Sequence, residues 1–215
     1  MPRASLFGSF LRRLIVISIA KRVLAIVLLA SLHTACSYGG GGEQLDCGAA
    51  ENWPIVDWPS QEGARASTLT TELDKMVNQY RCGLAAKAED RARRVLQHLN
   101  GLEGYWDYPN AVHLANTVVG LSALERGDID QATRSLVASV PREISPQLAS
   151  FGPCLVLAKQ LHERGRVQQV EQFLIEFSQL SGHQNFGLLS LISEVDSKAK
   201  DIDFGPFGEE FPRGY

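Results

Sequence analysis

The chain has 215 residues, 45% of them apolar, enough for one ordinary globular domain and a small second unit. Its net charge of −3 hides an asymmetry: the first 35 residues hold Arg3, Arg12, Arg13, Lys21 and Arg22 and no acid, and from Cys36 onward 16 basic residues face 24 acidic ones. A body that acidic repels phosphate backbones and carries no basic stripe to neutralise them, which argues against a nucleic-acid partner.

Residues 1–35 read as a signal peptide. Arg12-Arg13 precede the apolar run Leu14 to Ala20, Lys21-Arg22 interrupt, and Val23 to Leu32 form a second run. These ten residues suit a signal-peptide core and fall short of the roughly 20 needed to span a bilayer. The positive flank stays on the cytoplasmic side. Leu32-His33-Thr34-Ala35-Cys36 then resembles the lipobox of bacterial lipoproteins, with His33 where that family usually has Leu. The resemblance implies cleavage before Cys36, a diacylglycerol on its sulfur, and a chain anchored to a membrane of the cell envelope, facing the periplasm or exterior. Two other readings stay open. Leu14 to Leu32 could remain as an uncleaved anchor, at the cost of burying Lys21 and Arg22 mid-span, or an ordinary secretory signal could be cut nearby.

Residues 36–62 are rich in Gly and Pro and poor in helical periodicity, so they read as a flexible tether. Trp53-Pro54 and Trp58-Pro59 within it either form an exposed binding strip or pack back onto the next domain. With Cys36 lipidated, three cysteines remain; in an oxidising compartment a Cys47–Cys82 disulfide would pin the tether to the first helices. Cys154, within the apolar run Cys154-Leu155-Val156-Leu157-Ala158, reads as a buried, inert thiol. No Cys-x-x-Cys and no Cys/His ligand spacing points to a redox motif, a metal site or a cofactor.

Residues 63–200 form a helical domain, with helices expected near 63–80, 84–100, 109–126, 128–140, 153–164, 167–181 and 186–199. Leu114, Val118, Leu121 and Leu124 line one face of the third. Ile129, Ala132, Leu136 and Val140 do so on the fourth, and Val167, Val170, Phe173, Leu174 and Phe177 on the sixth. Gly101, Gly127, Gly165 and Gly182 fall at the stops, and Pro109 and Pro153 where a helix can start. Glu89-Asp90-Arg91 with Arg93-Arg94 reads as a solvated helix face with local ion pairs. Residues 201–215, acidic and aromatic with three prolyl or glycyl breaks, form an extended tail that is either disordered or docked through its Phe residues.

A repeat of period 38 aligns Glu125-Arg126-Gly127-Asp128-Ile129-Asp130-Gln131-Ala132, with Leu136, on Glu163-Arg164-Gly165-Arg166-Val167-Gln168-Gln169-Val170, with Leu174. With Gly120 and Ala123 these positions resemble the signature of tetratricopeptide-type helical hairpins over roughly residues 105 to 181; the family's usual period is 34, and its Trp and Tyr are absent. Ser145-Pro146-Gln147-Leu148-Ala149-Ser150-Phe151-Gly152-Pro153, together with His113-x-x-Asn116, is similar to a group of bacterial tetratricopeptide-like proteins. The resemblance implies a fold and no reaction: all-α antiparallel hairpins stacked as a short right-handed solenoid.

Tyr105, Trp106, Tyr108, His113 and Asn116 are the candidate binding surface. They either line a small polar pocket, or His113 and Asn116 form a buried latch between hairpins with the aromatics filling the core. No nucleophile elbow and no phosphate loop accompanies them. The expected function is a non-enzymatic, envelope-held adaptor for a protein or peptide segment. An envelope enzyme or small-ligand binder near His113 and a self-associating structural protein, a homo-oligomer, are the alternatives.

Overall fold

The helical period that runs through the sequence from Glu62 is realised as helices, and no strand occurs among the described residues. The computed structural model describes residues 45–182, 187–196, 202–205 and 208, all within the compact unit Ala35–Tyr215. They comprise α1 (Cys47–Glu51), α2 (Glu62–Arg81), α3 (Ala85–Gln97), α4 (Tyr108–Glu125) and α5 (Ile129–Ala138). After these come α6 (Pro146–Phe151), α7 (Val156–Glu163), α8 (Val167–Ser181) and α9 (Leu188–Asp196). The export segment and Cys36 lie outside the described residues, as do most of the C-terminal tail positions.

Three hairpins carry the fold, and each closes by the same turn. At α4–α5, Asp128 N–H donates to the Ala123 carbonyl (2.9 Å) and Gly127 N–H to that of Leu124 (3.0 Å). At α7–α8 the pairs are Arg166 to Leu161 (3.0 Å) and Gly165 to His162 (2.8 Å). At α2–α3 they are Leu84 to Gln79 and Gly83 to Tyr80, both 2.9 Å. This is the Schellman pattern, which needs a left-handed residue at the bend; Gly83, Gly127 and Gly165 have φ of 73°, 78° and 79°. Five residues after each glycine stands a side chain with no exposure (Ala88, Ala132, Val170), and nine after stands another apolar one (Ala92, Leu136, Leu174). The turn at Gly83 precedes that at Gly127 by 44 residues, outside the 38-residue spacing of the other two.

Neighbouring hairpins pack in chain order. The α4 helix lies against α2, α3 and α5; α5 lies against α7 and α8; and α9 closes on α8. Because α4 is enclosed on several sides, nearly all of its residues from Pro109 to Leu124 are buried, and its apolar residues surround the whole helix. Pro109 stands in its first turn, where a missing N–H costs nothing. Pro153 does not start a helix. Ser145 caps α6, with its hydroxyl accepting the Leu148 N–H (3.0 Å), and residues 152–155 then link it to α7 in irregular form.

From Leu45 onward, the segment read as a tether is laid along the body. Gln79 donates to the Ala50 carbonyl (3.0 Å), Lys87 to that of Glu51 (2.6 Å), and Trp58 stacks on His98 with ring centres 4.7 Å apart. Arg91 is the strongest grip. It belongs to no solvated face: it is 2% exposed, ion-paired with buried Glu72, bonded to Gln79 (3.0 Å), and it donates to the carbonyls of Trp53 and Pro54 (3.2 Å each). Ala88, Ala92 and Val95, all without exposure, place Arg91 on the apolar stripe of α3. Of the tail, Phe204 is buried and tilted over His162, with ring centres 5.9 Å apart.

Candidate functional site

The five candidate surface residues do not converge. His113 is fully buried. Its Nε2 accepts the Cys154 N–H (2.9 Å), which places the ring proton on Nδ1, 3.1 Å from the Ser139 carbonyl. Phe173 and Phe177 pack on the ring, with centres 6.4 and 5.1 Å away. Burial drives the imidazole pKa down to about 4, the bond to Ser139 opposing this in part. Asn116 donates to the carbonyls of Val112 (2.8 Å) and Ala138 (3.0 Å). The pair therefore ties α4 to the end of α5 and to the link before α7, and no pocket opens at His113. Tyr108 is half-buried against the core.

Tyr105 and Trp106 do face open space. Residues 99–107 descend from α3 to α4 through consecutive tight turns, with Leu102 N–H donating to Leu99 (3.0 Å), Tyr105 to Leu102 (2.9 Å) and Tyr108 to Tyr105 (2.9 Å). Buried Leu102 and Asp107 fix this loop at two points, so Trp106 is 46% exposed on a rigid mount. Against it lies the N-terminal half of α2. Together they form a groove of about 840 Å³, with Glu62, Ser67, Thr70 and Thr71 on one wall and Tyr105 and Trp106 on the other.

Behind that wall, Thr70 donates to Asp107 Oδ2 (2.9 Å), and Asn110 donates to Asp107 Oδ1 (2.7 Å). Ser145 donates in turn to Asn110, so one polar chain joins α2, the start of α4 and the cap of α6. Asp74, one turn beyond Thr70, has a buried Oδ1 with no hydrogen-bond partner. Desolvation, and then the negative charge of Asp107, push its carboxyl up to about 6. The sequence offered one signal for this carboxylate pair, the acid Asp107 directly before Tyr108-Pro109 where a helix starts, but not its partner on α2.

Cys47 and Cys82 are joined by a disulfide that bridges α1 to the α2–α3 bend. Cys154 is 1% exposed and is itself disulfide-bonded, not the free thiol its apolar neighbours suggested. Cys36 and its expected lipidation lie outside the described residues. Among the described residues no group of three or more His, Cys, Asp or Glu could hold a metal ion, and no helix is long and apolar enough to cross a membrane.

No family model matches the chain, and neither curated proteins nor solved structures give a match.

Proposed function

We propose that the chain is a non-enzymatic adaptor, held at the bacterial cell envelope by its N-terminus, that binds a protein or peptide segment on the surface of a short, tetratricopeptide-like right-handed stack of hairpins. The observation that carries this reading is the threefold recurrence of one turn at Gly83, Gly127 and Gly165, each followed at the same distance by a fully buried small or branched residue. Repeating one turn repeats one geometry, so successive hairpins lie side by side and present an extended surface. Three units meet the number such stacks need, while α1 covers α2 and α9 covers α8. The alternative of a reaction centred on His113 loses support from a ring with no exposure and both nitrogens engaged.

The test is crosslinking in intact cells followed by capture from envelope fractions. The same partner recovered under several growth conditions supports the reading; recovery of none across them counts against it. Sedimentation of the purified chain separates this from self-association, for which the expected mass is a multiple of the monomer.

A further inference from the structure

We propose that the groove between the first half of α2 and the 99–106 loop is the adaptor's contact site, and that it takes a lysine- or arginine-bearing stretch of peptide with the cationic side chain laid over Trp106. This rests on the adaptor reading and names the place and the chemistry.

An indole nearly half exposed leaves an apolar face open to a partner, and here the backbone that carries it is fixed by buried Leu102 on one side and Asp107 on the other. A rigidly mounted aromatic loses little entropy on binding. Tyr105 stands beside it with ring centres 5.6 Å apart, tilted by 55°, so one wall of the groove is aromatic. Two glycines keep the groove open without structural need. A β-carbon on Gly63 or on Gly104 would meet nothing within 4 Å, and neither residue has a positive φ. Gly63 is the second residue of α2, where alanine is the better helix former. Packing and backbone geometry thus leave the missing side chains unexplained, and access to the cavity explains them.

The charge decides the ligand class. The groove is lined by one ionisable carboxylate, Glu62, by the hydroxyls of Ser67, Thr70, Thr71 and Tyr105, and by no cation. Arg65 of α2 has its guanidinium committed to the end of α3 and the start of the loop, donating to the carbonyls of His98 (2.7 Å) and Asn100 (2.6 Å). The chain from Cys36 onward carries eight more acids than bases, a field that draws cationic segments in. A guanidinium or ammonium over the indole face, with Glu62 opposite, gains both cation–π and ionic attraction.

The experiment uses the full chain in detergent, with Trp106 assigned through Trp106→Phe. Short blocked peptides containing one Arg, one Lys or one Gln are titrated while the indole N–H signals are followed by NMR. The expected result is a saturable shift of the Trp106 signal with the Arg and Lys peptides and none with the Gln peptide. Affinity, read by isothermal titration calorimetry, should fall at least tenfold in Glu62→Gln and be lost in Trp106→Ala. Gly63→Leu and Gly104→Leu, which fill the groove, should block binding while the unfolding midpoint stays put. A shift caused by cell-wall oligosaccharides and not by the cationic peptides would overturn the proposal in favour of a glycan site, and no shift with either would overturn it outright. If the filled variants still capture a crosslinked partner in cells, the adaptor reading survives and this groove is excluded as its site.

Discussion

Gly120 and Leu157 meet where the second and third hairpins cross, and the contact leaves no room for a side chain. A β-carbon on Gly120 would stand 2.4 Å from Leu157 Cδ2 and 3.1 Å from Ser135 Cβ. Gly120→Ala should therefore destabilise the chain by about 1–3 kcal/mol through overpacking. Urea denaturation of Gly120→Ala, Leu157→Ala and the double variant checks this. The double variant should lose less than the sum of the two single losses, because Leu157→Ala vacates the space the new methyl needs, and equal midpoints for the wild type and Gly120→Ala would show that the crossing has slack.

Arg91 is buried with Glu72, so removing one partner leaves the other as an uncompensated internal charge. Glu72→Leu is expected to cost about 3–5 kcal/mol. Arg91→Met costs about as much and in addition frees the carbonyls of Trp53 and Pro54. Limited proteolysis should then cut near residues 53–58 at a rate well above that of the wild type, a cut that Glu72→Leu would produce less readily because Arg91 can still hold those carbonyls.

Two groups titrate with opposite consequences for stability. The His113 pKa lies near 4 in the fold, below its ordinary 6.5, so the unfolded chain takes up a proton first on acidification. The stability this neutral ring contributes is complete above about pH 6.5 and is lost as pH falls toward 4. Asp74 runs the other way. Its folded pKa of about 6 exceeds the ordinary 3.8, so stability is lost as pH rises from about 4 to 6, when the carboxyl must ionise beside Asp107. Asp74→Asn should therefore stabilise the chain by roughly 1–2 kcal/mol at pH 7.5, after allowance for partial solvent screening, and by little at pH 4. Melting curves at the two pH values check the sign; an equal effect at both would remove Asp74 as the source.

The Cys47–Cys82 bridge closes a loop of 35 residues, for which chain-entropy arguments give about 3–4 kcal/mol of stabilisation. Cys47→Ser/Cys82→Ser should lower the urea midpoint accordingly, and reductant should have no further effect through this pair.

The helices were legible in the sequence because their apolar faces recur at the helical period: Val170, Phe173, Leu174 and Phe177 are all buried as that period requires. The first hairpin was legible as two helices, 63–80 and 84–100, but its likeness to the later bends was not, since Gly83 is followed by Ala88 and Ala92, small residues that carry little hydrophobic signal. Arg91 misled for a related reason. A charge in a run of charges reads as solvated until Glu72, 19 residues away, is brought against it. At the groove, Tyr105 and Trp106 were visible as aromatics in a loop, but the opposing wall from α2 is a tertiary product. His113 and Asn116, which share a helix face with each other, are near them in sequence only; their bonds to the Ser139 and Ala138 carbonyls hold them at the end of α5.

The bridge from α1 to the α2–α3 bend also settles how tension would travel. A pull on an anchored N-terminus enters at Cys47 and passes through sulfur directly to Cys82, bypassing α2 and everything Arg91 holds. The bypassed loop is about 120 Å of extended chain that cannot be drawn out while the bond is intact. Under load the α2 wall of the groove is thus shielded while the bond is intact, and a reducing environment would expose it to the pull.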